Sequence, residues 1–197
     1  MTGVQTCALP IYREAMEALR KFDVEYGEEV VRMDDEVDRF SLYMMRTLVM
    51  AIQNSSILYD VGLEQPSDCL NYRTVISRIE RIADHAALIA KRIKFLKEPL
   101  EPKLLKELEA LSEAAVFCFE SSITALTKKD HALAEKVAAN IAQVIGKEKE
   151  LMYAMKESKH STIVKFTLED IRRTAEYSSD IIETVVNETI REIISEK

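Results

Sequence analysis

Two pairs of acidic residues stand four positions apart, Asp34 with Asp38 and Glu80 with Asp84. Residues at i and i+4 share one face of an α-helix a turn apart, so each pair sends two carboxylates in the same direction. Like charges at that spacing destabilise an isolated helix by about 0.2–0.5 kcal/mol per pair, and a bound cation gives the placement a reason. Four convergent carboxylates are hard oxygen donors, suited to Mg²⁺, Mn²⁺, Ca²⁺ or iron. Glu176 and Asp180 repeat the spacing near the C-terminus and form a weaker candidate pair. The competing account is a solvated face, because Asp34 and Asp38 belong to a run from Glu25 with seven acids and a single base, Arg32. His85 beside Asp84 offers a nitrogen ligand, although an exposed or capping histidine is the commoner role. His160 with Glu157 makes one Glu-x-x-His arrangement, whereas a di-metal bundle site needs two of them and two further glutamates.

Helices must carry these side chains. Val30, Met33, Val37, Phe40 and Met44 form one apolar seam at spacings of three and four, and Val75, Ile79, Ile82, Ala86, Ile89, Ile93 and Leu96 form another. Stop and start signals predict a helix from Asp23 to about Tyr59, a break at Gly62 to Ser67, another at Pro99 to Pro102, a cap at Asp130 and a last turn at Ser158 to Thr162. The expected fold is all-α, with six long antiparallel helices. At about 100° per residue both acidic pairs fall at least about 90° from their seams, which predicts a site on the bundle surface.

The chain also repeats. Ala18, Leu19 and Asp23 recur at Ala125, Leu126 and Asp130, an offset that also carries Glu28 onto Glu135 and Val37 onto Val144. Two related three-helix units follow, over residues 11–98 and 99–197, and the segment from Glu80 to Asp84 has its echo from Glu176 to Asp180. The same offset puts Asp34 and Asp38 onto Ile141 and Ile145, so the second unit lacks half of its acids. The repeat further requires a first helix beginning before Met1. Residues 1–10, with Gly3 and Pro10 and no seam, instead read as a non-native or disordered segment that truncates that helix.

Composition removes other classes. A net charge of −7 with no basic stripe argues against nucleic acid. Three cysteines without a Cys-x-x-Cys spacing indicate neither a disulfide framework nor a zinc knuckle and fit a reducing cytoplasm. Phosphate-cradling glycine loops, a serine elbow and a His-Glu-x-x-His motif are missing from the sequence. No apolar run reaches the roughly 20 residues of a membrane span.

With these residues in view, the chain resembles a known family. Gly62 and Leu63, the segment from Asp68 to Arg73, and above all the string from Ile79 to Ala86 are similar to the PhoU-type phosphate-uptake regulators, of the archaeal type. The segment from Ile171 to Ile181 resembles the family's second repeat, and Asp34 to Asp38 its Asp-x-x-x-Asp element. The resemblance covers roughly residues 12–197. It implies two tandem three-helix bundles whose acidic motifs hold surface metal, with iron, zinc, manganese or magnesium as the ion. It also implies a non-enzymatic cytoplasmic accessory that contacts a phosphate ABC transporter ATPase or a phosphate-sensing kinase, often as a homodimer. Asp34, Asp38, Glu80 and Asp84 match one complete metal site, and Glu176 with Asp180 half of another. Many archaeal relatives carry a DNA-binding-like β domain ahead of the bundles, which this sequence lacks. The alternative, a metal-dependent enzyme or metal-storage bundle, requires inward carboxylates and histidines.

Overall fold

The computed structural model describes residues 2–155 and 160–195, with side chains over 8–155 and 160–187. Seven α-helices run in chain order: α1 (Thr2–Lys21), α2 (Val24–Gln53), α3 (Ser55–Asp60), α4 (Asp68–Arg92), α5 (Pro102–Lys128), α6 (His131–Ala154) and α7 (Ser161–Ser195). A single 3-10 turn, Ile93–Phe95, follows α4, and no strand occurs among the described residues. Six of the helices are long. They form two three-helix units, α1, α2 and α4 against α5, α6 and α7, and α4 packs along α7 between them.

The internal repeat is visible in the turns. Phe22 and Lys129, 107 residues apart, both take left-handed backbone angles (φ 54° and 52°) that end α1 and α5. Asp23 N–H then donates to Ala18 O at 3.0 Å, and Asp130 N–H to Ala125 O at 2.9 Å. Each aspartate next caps the following helix, accepting from Tyr26 N–H at 3.0 Å and from Leu133 N–H at 2.9 Å. A carboxylate that takes up a free first-turn N–H starts a helix efficiently, which is why the two hairpins share one design. Arg13 of α1 meets Glu120 of α5 at 2.7 Å. These residues are also 107 apart, the contact expected where a two-fold relation between the units passes.

The units share one core rather than two. Val30, Val37, Ile79, Ile82 and Ile89 of the first are continuous with Leu108, Phe119, Val137, Leu168 and Ile171 of the second. A smaller cluster of Leu48, Ala51, Leu58, Leu63, Cys69 and Ile76 closes the far end of the first unit.

Two expectations need correction. The helix expected to reach Tyr59 ends at Gln53, because Asn54 adopts extended angles and caps the short α3 by accepting from Ser56 N–H at 2.9 Å. Residues 1–10 were expected to be a non-native or disordered segment, and of the two it is disorder that the structure corrects: the chain is helical from Thr2, with Ala8 fully buried. A proline inside a helix costs about 3 kcal/mol, and Pro10 bears that cost next to the buried Ile11, Tyr12 and Ala15, whose packing holds the turn in place. The acidic pairs, expected on the bundle surface rather than in its core, are none of them fully buried and sit at the α2–α4 boundary. The Ser158 side of the last expected turn and Glu157 lie outside the described residues.

Gly27 shows how closely α2 and α4 approach. A Cβ there would lie 3.0 Å from the backbone oxygen of Ala90 and 3.3 Å from Ile93 Cδ1. Helix backbone cannot yield as a flexible side chain would, so the clash outweighs the better helix propensity of alanine, worth about 1 kcal/mol. Gly27→Ala is expected to lower the urea midpoint at constant slope, by about 1–2 kcal/mol.

Candidate metal centre between α2 and α4

The α2–α4 pair brings three of the four sequence-designated acids together. One carboxylate oxygen from each of Asp34, Asp38 and Asp84 falls within 4.8 Å of the others. Glu80 stands one turn before Asp84 on α4 and shares their field. Asp34 and Asp84 are half-buried because the helices meet along Val37, Ile82, Ala83 and Ala86, which sinks the flank of the seam as well as the seam itself. An angle computed for an isolated helix places these groups off the seam, and the neighbouring helix sets how far they are covered.

Electrostatics mark Asp34, Glu80 and Asp84. Burial, then the charges of Asp84, Asp38, Asp35 and Glu80, push Asp34 up to about 7. Glu80 and Asp84 are likewise raised, by desolvation first and by Asp38 next. Arg81 offers Asp84 only a partial counter-charge, at 3.8 Å and largely in solvent. Asp34 Oδ1 is buried and accepts no hydrogen bond from the described residues. An orphaned buried oxygen beside three like charges costs free energy unless a donor or cation answers it. All-oxygen donors on two fixed helices are the coordination chemistry of a hard cation. The residues present fit one.

Glu176 and Asp180 are arranged differently. Arg172 and Arg173 both pair with Glu176, the latter at 3.2 Å, and Arg78 of α4 reaches Asp180 at 2.7 Å. The positions on α6 that would supply the other half are Ile141, buried, and Ile145, packed on the core. Guanidinium groups therefore answer these carboxylates in place of further acids. Sequence reasoning missed Glu148, which is buried on α6, is raised by desolvation and faces Arg172 Nε at 4.0 Å. Its signal was present: Glu148 continues the seam of Val137, Ile141 and Val144 where an apolar residue belongs.

His85 does not join the acids as a ligand. Its Nδ1 lies 2.8 Å from Asp170 Oδ1, across the α4–α7 interface, and its ring stacks obliquely on Tyr177. Arg92 pairs with the other oxygen of Asp170, whose side chain is 4% exposed. His160, with Glu98 at 3.6 Å, is placed at the start of α7, remote from the acidic pairs in sequence.

The fold has known relatives. Residues 5–93 match the PhoU domain. The chain is 30% identical over 126 residues to the phosphate-specific transport system accessory protein PhoU homolog of Aquifex aeolicus, an alignment covering 63% of this chain and 54% of that one. The chain thus spans about half the length of this curated relative. The crystal structure of the phosphate transport system regulatory protein PhoU from Streptococcus pneumoniae superimposes with a TM-score of 0.75 at 23% identity, over 93% of this chain and 88% of that one, and shows the fold to be shared. The chain thus matches the PhoU domain over residues 5–93 and shares the fold of that crystal structure over nearly its whole length.

Proposed function

We propose that this protein is an accessory regulator of phosphate uptake and phosphate homeostasis that works by contact with other proteins, with a metal ion held by Asp34, Asp38, Glu80 and Asp84. The partners in this reading are a phosphate ABC transporter ATPase or a phosphate-sensing kinase, met in the cytoplasm by a homodimer. No helix among the described residues is long and apolar enough to cross a membrane, so contact with a transporter would be made from beside it. The observation that carries the reading is the convergence of the Asp34, Asp38 and Asp84 carboxylates inside the matched PhoU domain, with Asp34 Oδ1 left without a protein donor. Iron, zinc, manganese or magnesium would each meet hard oxygen ligands there. A bound cation would also reverse the local field and give an anion such as phosphate a place to approach an otherwise acidic surface.

The alternative, a catalytic or metal-storing bundle, would place acids in the core. The buried acids each have protein partners instead: Asp68 accepts from Gln65 N–H at 3.0 Å, Glu148 faces Arg172, and Asp170 binds His85 and Arg92.

The test is elemental mass spectrometry on protein purified without chelator or nickel, beside a Glu80→Ala, Asp84→Ala double variant, with both assayed for restoring phosphate control in a strain lacking the protein. The wild type is expected to carry metal and restore control. The folded double variant is expected to lose the metal and to lose control with it. Metal-free wild type that still restores control would remove the cation from the reading.

A further inference from the structure

The groove between α2 and α4 continues past the acids. Toward the start of α2 it opens into a cavity of about 240 Å³ whose lining includes Arg32 of α2 and, from the end of α4 and the turn after it, Lys91 and Lys94. A second cavity of about 340 Å³ has Asp34 and Asp84 in its wall, and the two cavities share Val31 and Lys91. One groove therefore runs from the carboxylates to a basic end. Seven positions separate Asp84 from Lys91, a rise of about 10 Å along the helix, so the two ends are distinct places.

Arg32 shows that the basic end is built. Its neighbours three and four positions away on either side are Glu28, Glu29, Asp35 and Glu36, all acids at the spacing where helical ion pairs form. Among the described residues Arg32 pairs with none of them, and Glu36 is taken by Arg39 at 2.6 Å. The Arg32 side chain instead lines the cavity, across from the two lysines. Lys94 lies 5.3 Å from the centre of the Phe95 ring, a contact that steadies the ammonium without neutralising it. Against three cations the lining sets one acid, Glu28. Like charges gathered in a concavity focus a field that attracts an anion. The second repeat has no such cluster. The offset of 107 puts Arg32 onto Ala139, and the offset of 96 that carries Glu80 onto Glu176 puts Lys91 and Lys94 onto Asn187 and Ile190. The three-helix unit thus folds without these cations.

We infer that the basic end of the α2–α4 groove binds the phosphate chain of a small molecule, an inorganic oligophosphate or a nucleoside triphosphate. Arg32 offers a planar fork to phosphate oxygens and the lysines offer point charges. Cations spread over two helices suit several linked phosphates better than one, because each then meets its own oxygens. No aromatic or amide side chain lines this cavity, so a nucleobase finds nothing there to read it. Three cations in one cavity are too few for a nucleic-acid track. The inference is independent of the metal reading, since none of the three belongs to the acids proposed to hold the ion.

The probe is sodium triphosphate, titrated by calorimetry into the full chain after metal has been stripped and dialysed away, with ATP and orthophosphate in parallel. Triphosphate is expected to bind one to one with a dissociation constant of about 10–100 μM, ATP to match it within about threefold, and orthophosphate to bind at least about tenfold more weakly. Combining Arg32→Ala, Lys91→Ala and Lys94→Ala should weaken triphosphate at least about tenfold. All three side chains are exposed, so the unfolding midpoint should hold. A control with the same change in charge, Lys103→Ala, Lys106→Ala and Lys136→Ala on exposed positions of the second unit, should bind as the wild type does. An equal loss in that control assigns the attraction to net charge and overturns the proposal. So does a wild type without saturable binding, orthophosphate as tight as triphosphate, or ATP that binds while triphosphate is inert. The Glu80→Ala, Asp84→Ala protein should keep its affinity. Binding that needs added metal and vanishes in that variant overturns the proposal as well, by giving the anion to the ion in place of the three cations.

Discussion

Asp170→Ala is expected to destabilise the protein by about 3–5 kcal/mol, because it strands two basic side chains at the interface between the repeats. Asp170 is the shared acceptor of His85 Nδ1 and Arg92, and its own side chain is almost fully enclosed. Removing it leaves Arg92 charged, mostly out of water and without its carboxylate, which is where most of the cost arises. Thermal or urea unfolding reads the loss directly. The conservative Asp170→Asn keeps an acceptor for one partner, and a smaller loss than for alanine separates the charge from the hydrogen bond. Unchanged stability for Asp170→Ala would mean that the α4–α7 interface is held by its apolar contacts alone.

The second large effect has the opposite sign. Asp34→Asn should make the metal-free protein more stable at pH 8 while abolishing its response to metal. Asp34 titrates near 7 in the folded chain, against about 3.9 in an unfolded one. Between those values the folded state binds the proton more tightly. The stability linked to that proton is therefore complete below about pH 4 and is lost as pH rises through 7. Glu80 and Asp84 are raised in the same sense and add to the slope. Asparagine removes the titrating charge. After discounting for the solvent that reaches a half-exposed carboxylate, the gain at pH 8 is about 1–2 kcal/mol. In the wild type a cation that bound only the folded state would relieve the repulsion, and at a concentration 100-fold above its dissociation constant would add about 2.7 kcal/mol. Thermal unfolding of both proteins at pH 5 and pH 8, with and without manganese or zinc, checks all four expectations. A wild type whose midpoint is the same at both pH values and ignores metal would show that the four acids are solvated independently.

The contrast between the two acidic pairs on α2 and α4 and the pair on α7 shows what a spacing argument is able to deliver. Four residues apart means one face of one helix, and that was correct for all three pairs. It does not say which group stands opposite. For Asp34 and Asp38 the facing helix brings Asp84, and for Glu176 and Asp180 the neighbours are Arg172, Arg173 and Arg78. The first arrangement asks for a cation and the second contains its own.

His85 makes the same point from another direction. Next to Asp84 in sequence it read as a ligand or an exposed residue. At 100° per residue, however, adjacent positions on a helix point well apart, and His85 turns away to meet α7. The N-terminal segment erred the other way. Local propensity condemned Gly3 and Pro10, whereas the apolar surface of α4 and α5 rewards Ala8, Ile11 and Tyr12 for continuing the helix.

The periodic seams, the capping aspartates and the offset of 107 belong to the sequence itself, because they depend on interactions within a few residues along the chain and on the chain's likeness to itself. They determined an all-α protein of two related three-helix units and located its four candidate ligands. The tertiary structure decided which charges face one another and that α4 against α7 merges the units into one core. Those outcomes depend on packing between segments distant in sequence, where the burial of a side chain is set by the neighbour it meets rather than by its own spacing.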